Sequence, residues 1–156
     1  MDWMQIVIGP ALMSIGGLIV WIIKAKIEEL RAIEEKLGDD RRKVYEQILE
    51  PYIRIFTDLK GSGPEEAIQT IKSFDYRKAA FNLNLFGSDN VVTAYNELMQ
   101  CFFKYETGQV SDPHDMLRKW GNFLLEIRKS LGNQSTRLKG IDMLKGMIKD
   151  VEKLES

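Results

Sequence analysis

From Trp3 to Ile23 the chain carries no charged side chain, and this run of 21 residues (WMQIVIGPALMSIGGLIVWII) limits the fold more than any other feature. As a helix rising about 1.5 Å per residue it reaches roughly 30 Å, the thickness of a bilayer's hydrocarbon core. Ten of its residues are Ile, Leu or Val. At about 0.3–0.6 kcal/mol each they favour insertion by roughly 3–6 kcal/mol, against Gln5, Pro10 and the glycines. Trp3 and Trp21 stand near the two ends, where indoles settle among headgroups. A cleaved signal peptide would need a basic leader and a small-residue cleavage site. Here the only charge before the run is Asp2, and Lys24-Ala25-Lys26 follows it. A buried core helix would need apolar partners on every side, more than the remaining chain can supply. The expectation is a transmembrane helix over 1–23.

Orientation follows from the flanking basic residues. Lys24, Lys26, Arg31, Lys36, Arg41, Arg42 and Lys43 follow the run closely, and no Lys or Arg precedes it. That asymmetry places the body in the cytoplasm of a bacterial cell and the N-terminus outside. Cys101 is the sole cysteine, so no intrachain disulfide can form, in keeping with a reducing compartment.

After the span, residues 24–38 read as a helical stalk, with Ile27, Leu30 and Leu37 at heptad-like spacing and Gly38 as its stop. Residues 39–156 read as one helical bundle of four to five helices. Asp39 or Asp40 is expected to cap a helix bearing Val44, Tyr45, Ile48, Leu49, Tyr52, Ile55, Phe56 and Leu59, kinked at Pro51. Ser62 and Glu65 stand at capping-box spacing around Pro64 and open a helix reaching about Phe74. In AAFNLNLFGSD, Phe81, Leu83 and Leu85 alternate with asparagines as in a strand. No second alternating run exists to pair with it, so the stretch is expected to be helix ending in an extended link. Gly87-Ser88-Asp89 starts the next helix, with Val91, Tyr95, Leu98 and Phe102 on its apolar face. Asp112-Pro113 starts another, bearing Trp120, Phe123 and Ile127 and ended by Gly132. Ser135 or Thr136 is expected to open a last helix bearing Ile141, Leu144, Ile148, Val151 and Leu154. The fold class is all-α.

Chemistry is sparse. With one histidine, a multi-histidine metal site cannot form. His114 follows Pro113 and precedes Asp115 in a first helical turn, where a carboxylate could make it an acid or base; an exposed first-turn residue is the plainer reading. Helical ribonucleases of the HEPN kind place an arginine four to six residues before the histidine. The nearest upstream arginine here is Arg77, so that motif is missing. Cys101, between Gln100 and Phe102 on an apolar face, reads as a small buried hydrophobe rather than a nucleophile. GSGPEE lacks the lysine-serine ending of a phosphate cradle. The chain is therefore read as non-enzymatic, with no cofactor and no metal. The net charge of −1 makes nucleic acid an unlikely partner. A local basic bias remains near the C-terminus, where Arg128, Lys129, Arg137, Lys139, Lys145 and Lys149 are either a solvated face or a candidate anion-binding face.

The span suggests self-association. At about 100° per residue Gln5, Gly9 and Gly16 fall within about 40° of one another, and Pro10, Ser14 and Gly17 lie on a roughly opposite side. Small residues allow close helix approach. Two such faces suit a ring, in which each subunit meets its neighbours through two different surfaces. Gln5, Gly9 and Gly16 would then face the axis, and Pro10, Ser14 and Gly17 would pack on a neighbour. Homo-oligomerisation in the lipid bilayer is the expectation.

Arg41-Arg42-Lys43-Val44-Tyr45, Gly87-Ser88-Asp89-Asn90-Val91-Val92 and Ile127-Arg128-Lys129-Ser130-Leu131-Gly132 give the chain a layout that resembles a broad group of small bacterial single-pass membrane proteins with a cytosolic helical bundle. The resemblance covers nearly the full length and brings no established activity. In architecture alone the chain is also similar to the membrane accessory proteins of RNA-targeting CRISPR systems, which assemble as pores. That similarity implies an oligomeric channel in antiviral defence, with the bundle as assembly collar. The sequence reading is a non-enzymatic inner-membrane protein that self-assembles and perturbs permeability. Its rival is a membrane-anchored helical adaptor or sensor for a cytoplasmic protein partner.

Overall fold

The computed structural model describes residues 3–58, 61–108, 112–149 and 151; the described side chains begin at Leu18 and omit those of 105, 106 and 113. All regular structure among them is helical. The elements are α1 (Trp3–Thr57), α2 (Gly63–Lys72), α3 (Phe74–Phe86), α4 (Asp89–Glu106), α5 (Pro113–Ser130) and a single 3-10 turn, Gly140–Met143. The chain divides into two compact units, Met1–Asp39 and Asp40–Ser156.

In the first unit α1 is helical from Trp3, and the side chains of Leu18 through Ile23 are all 48–67% exposed. Ile27, Leu30 and Ile33 are exposed as well, while Lys24–Glu28 and Lys26–Glu29 ion pairs run along the helix. Among the described residues no helix is long and apolar enough to cross a membrane. The first part of the expected span, with Gln5, Gly9, Pro10, Ser14, Gly16 and Gly17, lies outside the described side chains.

Gly38 does not stop the helix as the sequence suggested. One glycine costs a helix only about 1 kcal/mol relative to alanine, and a long ladder of bonds on both sides absorbs it. The helix also runs through Pro51, whose ring is fully buried in the second unit.

The second unit is built around Tyr45, Ile48, Leu83, Val91, Phe123 and Leu144, each under 2% exposed. In α4 and α5 the buried residues Val91, Tyr95, Leu98, Trp120, Phe123 and Ile127 recur at helical spacing. In α3 the buried residues are Tyr76, Ala79 and Leu83, one helical face, so Phe81 and Leu85 point outward and the apparent strand alternation is resolved as helix. Caps fix the boundaries. The Ser73 hydroxyl oxygen accepts from the Tyr76 N–H at 3.2 Å, and the Asp112 carboxylate accepts from the His114 N–H at 2.9 Å ahead of Pro113. The expected Ser62–Glu65 capping box does not form; Ser62 donates instead to the Glu66 carboxylate at 2.6 Å.

The C-terminal stretch departs from its expected helix. Gly132, at φ +106°, ends α5, and the chain then runs without helix to the Gly140–Met143 turn. There Gly140 meets Gly121 of α5 so closely that a Cβ built on Gly121 would lie 2.4 Å from the Gly140 carbonyl oxygen. Backbone against backbone leaves no room for a helix wrapped in side chains. The apolar positions are nonetheless used, since Leu144 and Val151 are buried and Ile141 and Ile148 pack against the core. Leu154 lies outside the described residues.

Candidate functional site

The three segments that carry the resemblance converge at one point. The Tyr45 hydroxyl, on a side chain 1% exposed, lies 2.8 Å from Ser130 Oγ and accepts from the Ser88 N–H at 3.4 Å. One turn earlier on α1, Arg41 Nε donates to the Phe86 carbonyl at 2.7 Å, satisfying a carbonyl that the end of α3 leaves open. These residues tie α1 to the α3–α4 turn and to the end of α5. Their contacts are structural ties within the bundle.

A second cluster, absent from the sequence reading as a site, is made by three tyrosines. Tyr52 and Tyr95 each place a hydroxyl near that of Tyr76, at 3.4 and 3.5 Å, and Tyr52 also approaches Met99 Sδ at 3.9 Å. Those O–O separations exceed the roughly 2.7–2.8 Å typical of hydroxyl pairs, so the three hydroxyls satisfy one another only in part. The Trp120 ring packs on Tyr52 with centroids 4.3 Å apart and closes the cluster on one side. Burial pushes the Tyr52 hydroxyl up to about 12, a shift opposed by its bond to Tyr76 and reinforced by Tyr95. Burial likewise raises Tyr76 and Tyr95. All three are therefore neutral donors near neutrality.

This cluster makes a prediction for alkaline pH. The folded Tyr52 value lies above its ordinary 10.0, so its contribution is intact below pH 10 and declines as pH rises toward 12. Tyrosinate absorbance should therefore rise together with loss of helical circular dichroism. Ionisation of every tyrosine with the helices still formed would contradict the burial argument.

Beside the cluster runs a groove of about 720 Å³ between α2, α3 and α4. Ile68, Ile71, Ala80, Met99, Phe102 and Phe103 supply its apolar wall, Tyr76 and Tyr95 also line it, and Lys72 and Arg77 are its only charged lining residues. Sequence periodicity offered no means of separating these positions from core, because a groove is made by the spacing between helices. Elsewhere α3 leaves Phe74, Phe81 and Leu85 exposed at 78%, 64% and 61%; their spacing of seven and four residues makes one apolar stripe.

The residues singled out for chemistry lie apart from these features. His114 is exposed in the first turn of α5. Cys101 is 5% exposed, with Sγ 3.9 Å from Asp115 Oδ2. Of the basic set, Lys129 pairs with Glu126 at 2.6 Å and Lys145 with Asp142 at 2.9 Å. Arg128, Arg137, Lys139 and Lys149 are exposed along the end of α5 and the segment that follows. Among the described residues no group of His, Cys, Asp or Glu is placed to hold a metal ion. Comparison with protein-family models, with curated proteins and with solved structures found no match.

Proposed function

We propose that the chain is a non-enzymatic, single-pass protein of the bacterial inner membrane, spanning it over 3–23 with the bundle in the cytoplasm, and that it self-assembles and alters membrane permeability. The observation that carries this reading is the exposure of Leu18–Ile23 on all sides of the helix, at the end of an uncharged run long enough to span. Water penalises such a surface and lipid does not. Assembly is supported by the paired small-residue faces of the span and by the stripe of Phe74, Phe81 and Leu85 on α3, since an exposed apolar patch marks a contact surface. The similarity to pore-forming accessory proteins extends the reading to an antiviral effector. The same α3 stripe also favours a second reading, an anchored helical adaptor whose stripe binds a cytoplasmic protein.

Light scattering of the full-length protein in nanodiscs separates the two. A discrete oligomer is expected, and Gly16→Leu should reduce its mass and abolish vesicle leakage without loss of helical signal. Phe81→Asp should weaken the same assembly from the bundle side. A monomeric wild-type protein would refute assembly and direct attention to a protein partner. Unchanged leakage with Gly16→Leu would remove the span from the pore.

A further inference from the structure

The groove between α2, α3 and α4 has the makings of a ligand site. Its volume of about 720 Å³ falls within the roughly 300–1,000 Å³ usual for small-molecule pockets. Its lining is apolar along its length, carries no acidic residue, and bears two cations, Lys72 at the end of α2 and Arg77 on the first turn of α3. Both are exposed, and neither makes an ion pair among the described residues. The other charged clefts of the unit differ. That of Glu97, Lys104, Asp112, Asp115 and Lys119 mixes signs, with Lys119 3.9 Å from Asp115. Its lining joins an apolar surface to two cations that make no ion pair among the described residues.

We propose that this groove binds a free single-chain carboxylate amphiphile, a long-chain fatty-acid anion. Its chain lies along Ile68, Met99 and Phe102, and its carboxylate meets Lys72 and Arg77. Apolar burial supplies attraction in proportion to area and no direction; the two cations supply the direction. A volume of about 720 Å³ lined by two cations and no carboxylate suits one acyl chain and one anionic head better than a two-chain lipid.

The test uses the full-length protein in nanodiscs and a photoreactive diazirine analogue of palmitate, with labelled peptides mapped by mass spectrometry. Label is expected in α2 and in the 98–103 region of α4. Palmitate should compete it away and methyl palmitate should not. Lys72→Met combined with Arg77→Met should lower groove labelling by about tenfold, the scale of a lost charge-assisted contact, while labelling of residues 3–23 stays unchanged. Ala80→Trp, which fills the groove and keeps both cations, should lower it as well. Labelling confined to residues 3–23, equal competition by the ester, or groove labelling unaffected by the double substitution would overturn the proposal. Equal labelling by a photoreactive diacyl phosphatidic acid would overturn it too, because the groove would then be reading bilayer lipid.

Discussion

Replacing Leu12 and Ile15 with arginine should move the protein from the membrane pellet to the supernatant under carbonate extraction. The two positions lie at the middle of the uncharged run, too far from either end for a long side chain to reach the interface easily. An arginine at the centre of a span costs about 2.5–3.5 kcal/mol, and each apolar residue lost removes about 0.3–0.6 kcal/mol, so the pair costs about 6–8 kcal/mol. That exceeds the roughly 3–6 kcal/mol that the ten Ile, Leu and Val residues contribute. The bundle has its own core and should retain its helical signal. A double variant that stays in the pellet as an extractable-resistant, folded protein would mean that residues 3–23 do not hold the chain in the membrane.

The second large effect is expected in the bundle. Gly121→Val should lower the thermal midpoint sharply, by an amount corresponding to about 3 kcal/mol or more, because the added Cβ would meet backbone and not a side chain that can turn aside. The atoms in its way are the Gly140 carbonyl oxygen at 2.4 Å and carbonyl carbon at 2.8 Å. Relief requires the segment around Gly140 to lift from α5, which would uncover Leu144, now fully buried. Gly146→Val is the matched control, since a Cβ there meets nothing within 4 Å and its effect should be small. Equal midpoints for the two variants would show that the α5 contact does not hold the C-terminal segment.

The same contact explains where sequence reasoning succeeded and where it stopped. The starts of α2 and α5 were legible because Pro64 and Asp112-Pro113 act locally, through fixed backbone angles and, at Asp112, a side-chain cap, and α4 begins at Asp89 where Gly87-Ser88-Asp89 placed it. Gly132 was legible for the same reason, as its φ of +106° favours glycine. Gly38 and Gly140 misled in opposite directions. At Gly38 a local breaker was overruled by the helix on either side. At Gly140 a helical apolar pattern was overruled by a backbone contact with Gly121, nineteen positions away, that no local pattern encodes. Much of the buried faces of α1, α4 and α5 was legible, through Tyr45, Ile48, Val91, Leu98, Trp120 and Phe123, though Phe103 and Leu131 lie exposed and Leu125 is buried; the site was not legible. Tyr52 and Tyr95 looked like core positions, and the groove beside them exists only because α2, α3 and α4 stand apart there.

The Tyr45 hydroxyl bears on the order in which the bundle assembles. It closes chain loops of 43 residues to Ser88 and 85 residues to Ser130. Doubling a loop adds only about 0.6 kcal/mol of closure entropy, so the farther partner is nearly as accessible as the nearer one once the helices exist. The Ser88 bond needs only the end of α3, and the Ser130 bond needs α5 to have docked as well, so the pair is complete once both are in place. The hydroxyl thus acts as a latch set at the close of folding, and the Ser88 amide proton should exchange with solvent on the timescale of global opening rather than of local fraying.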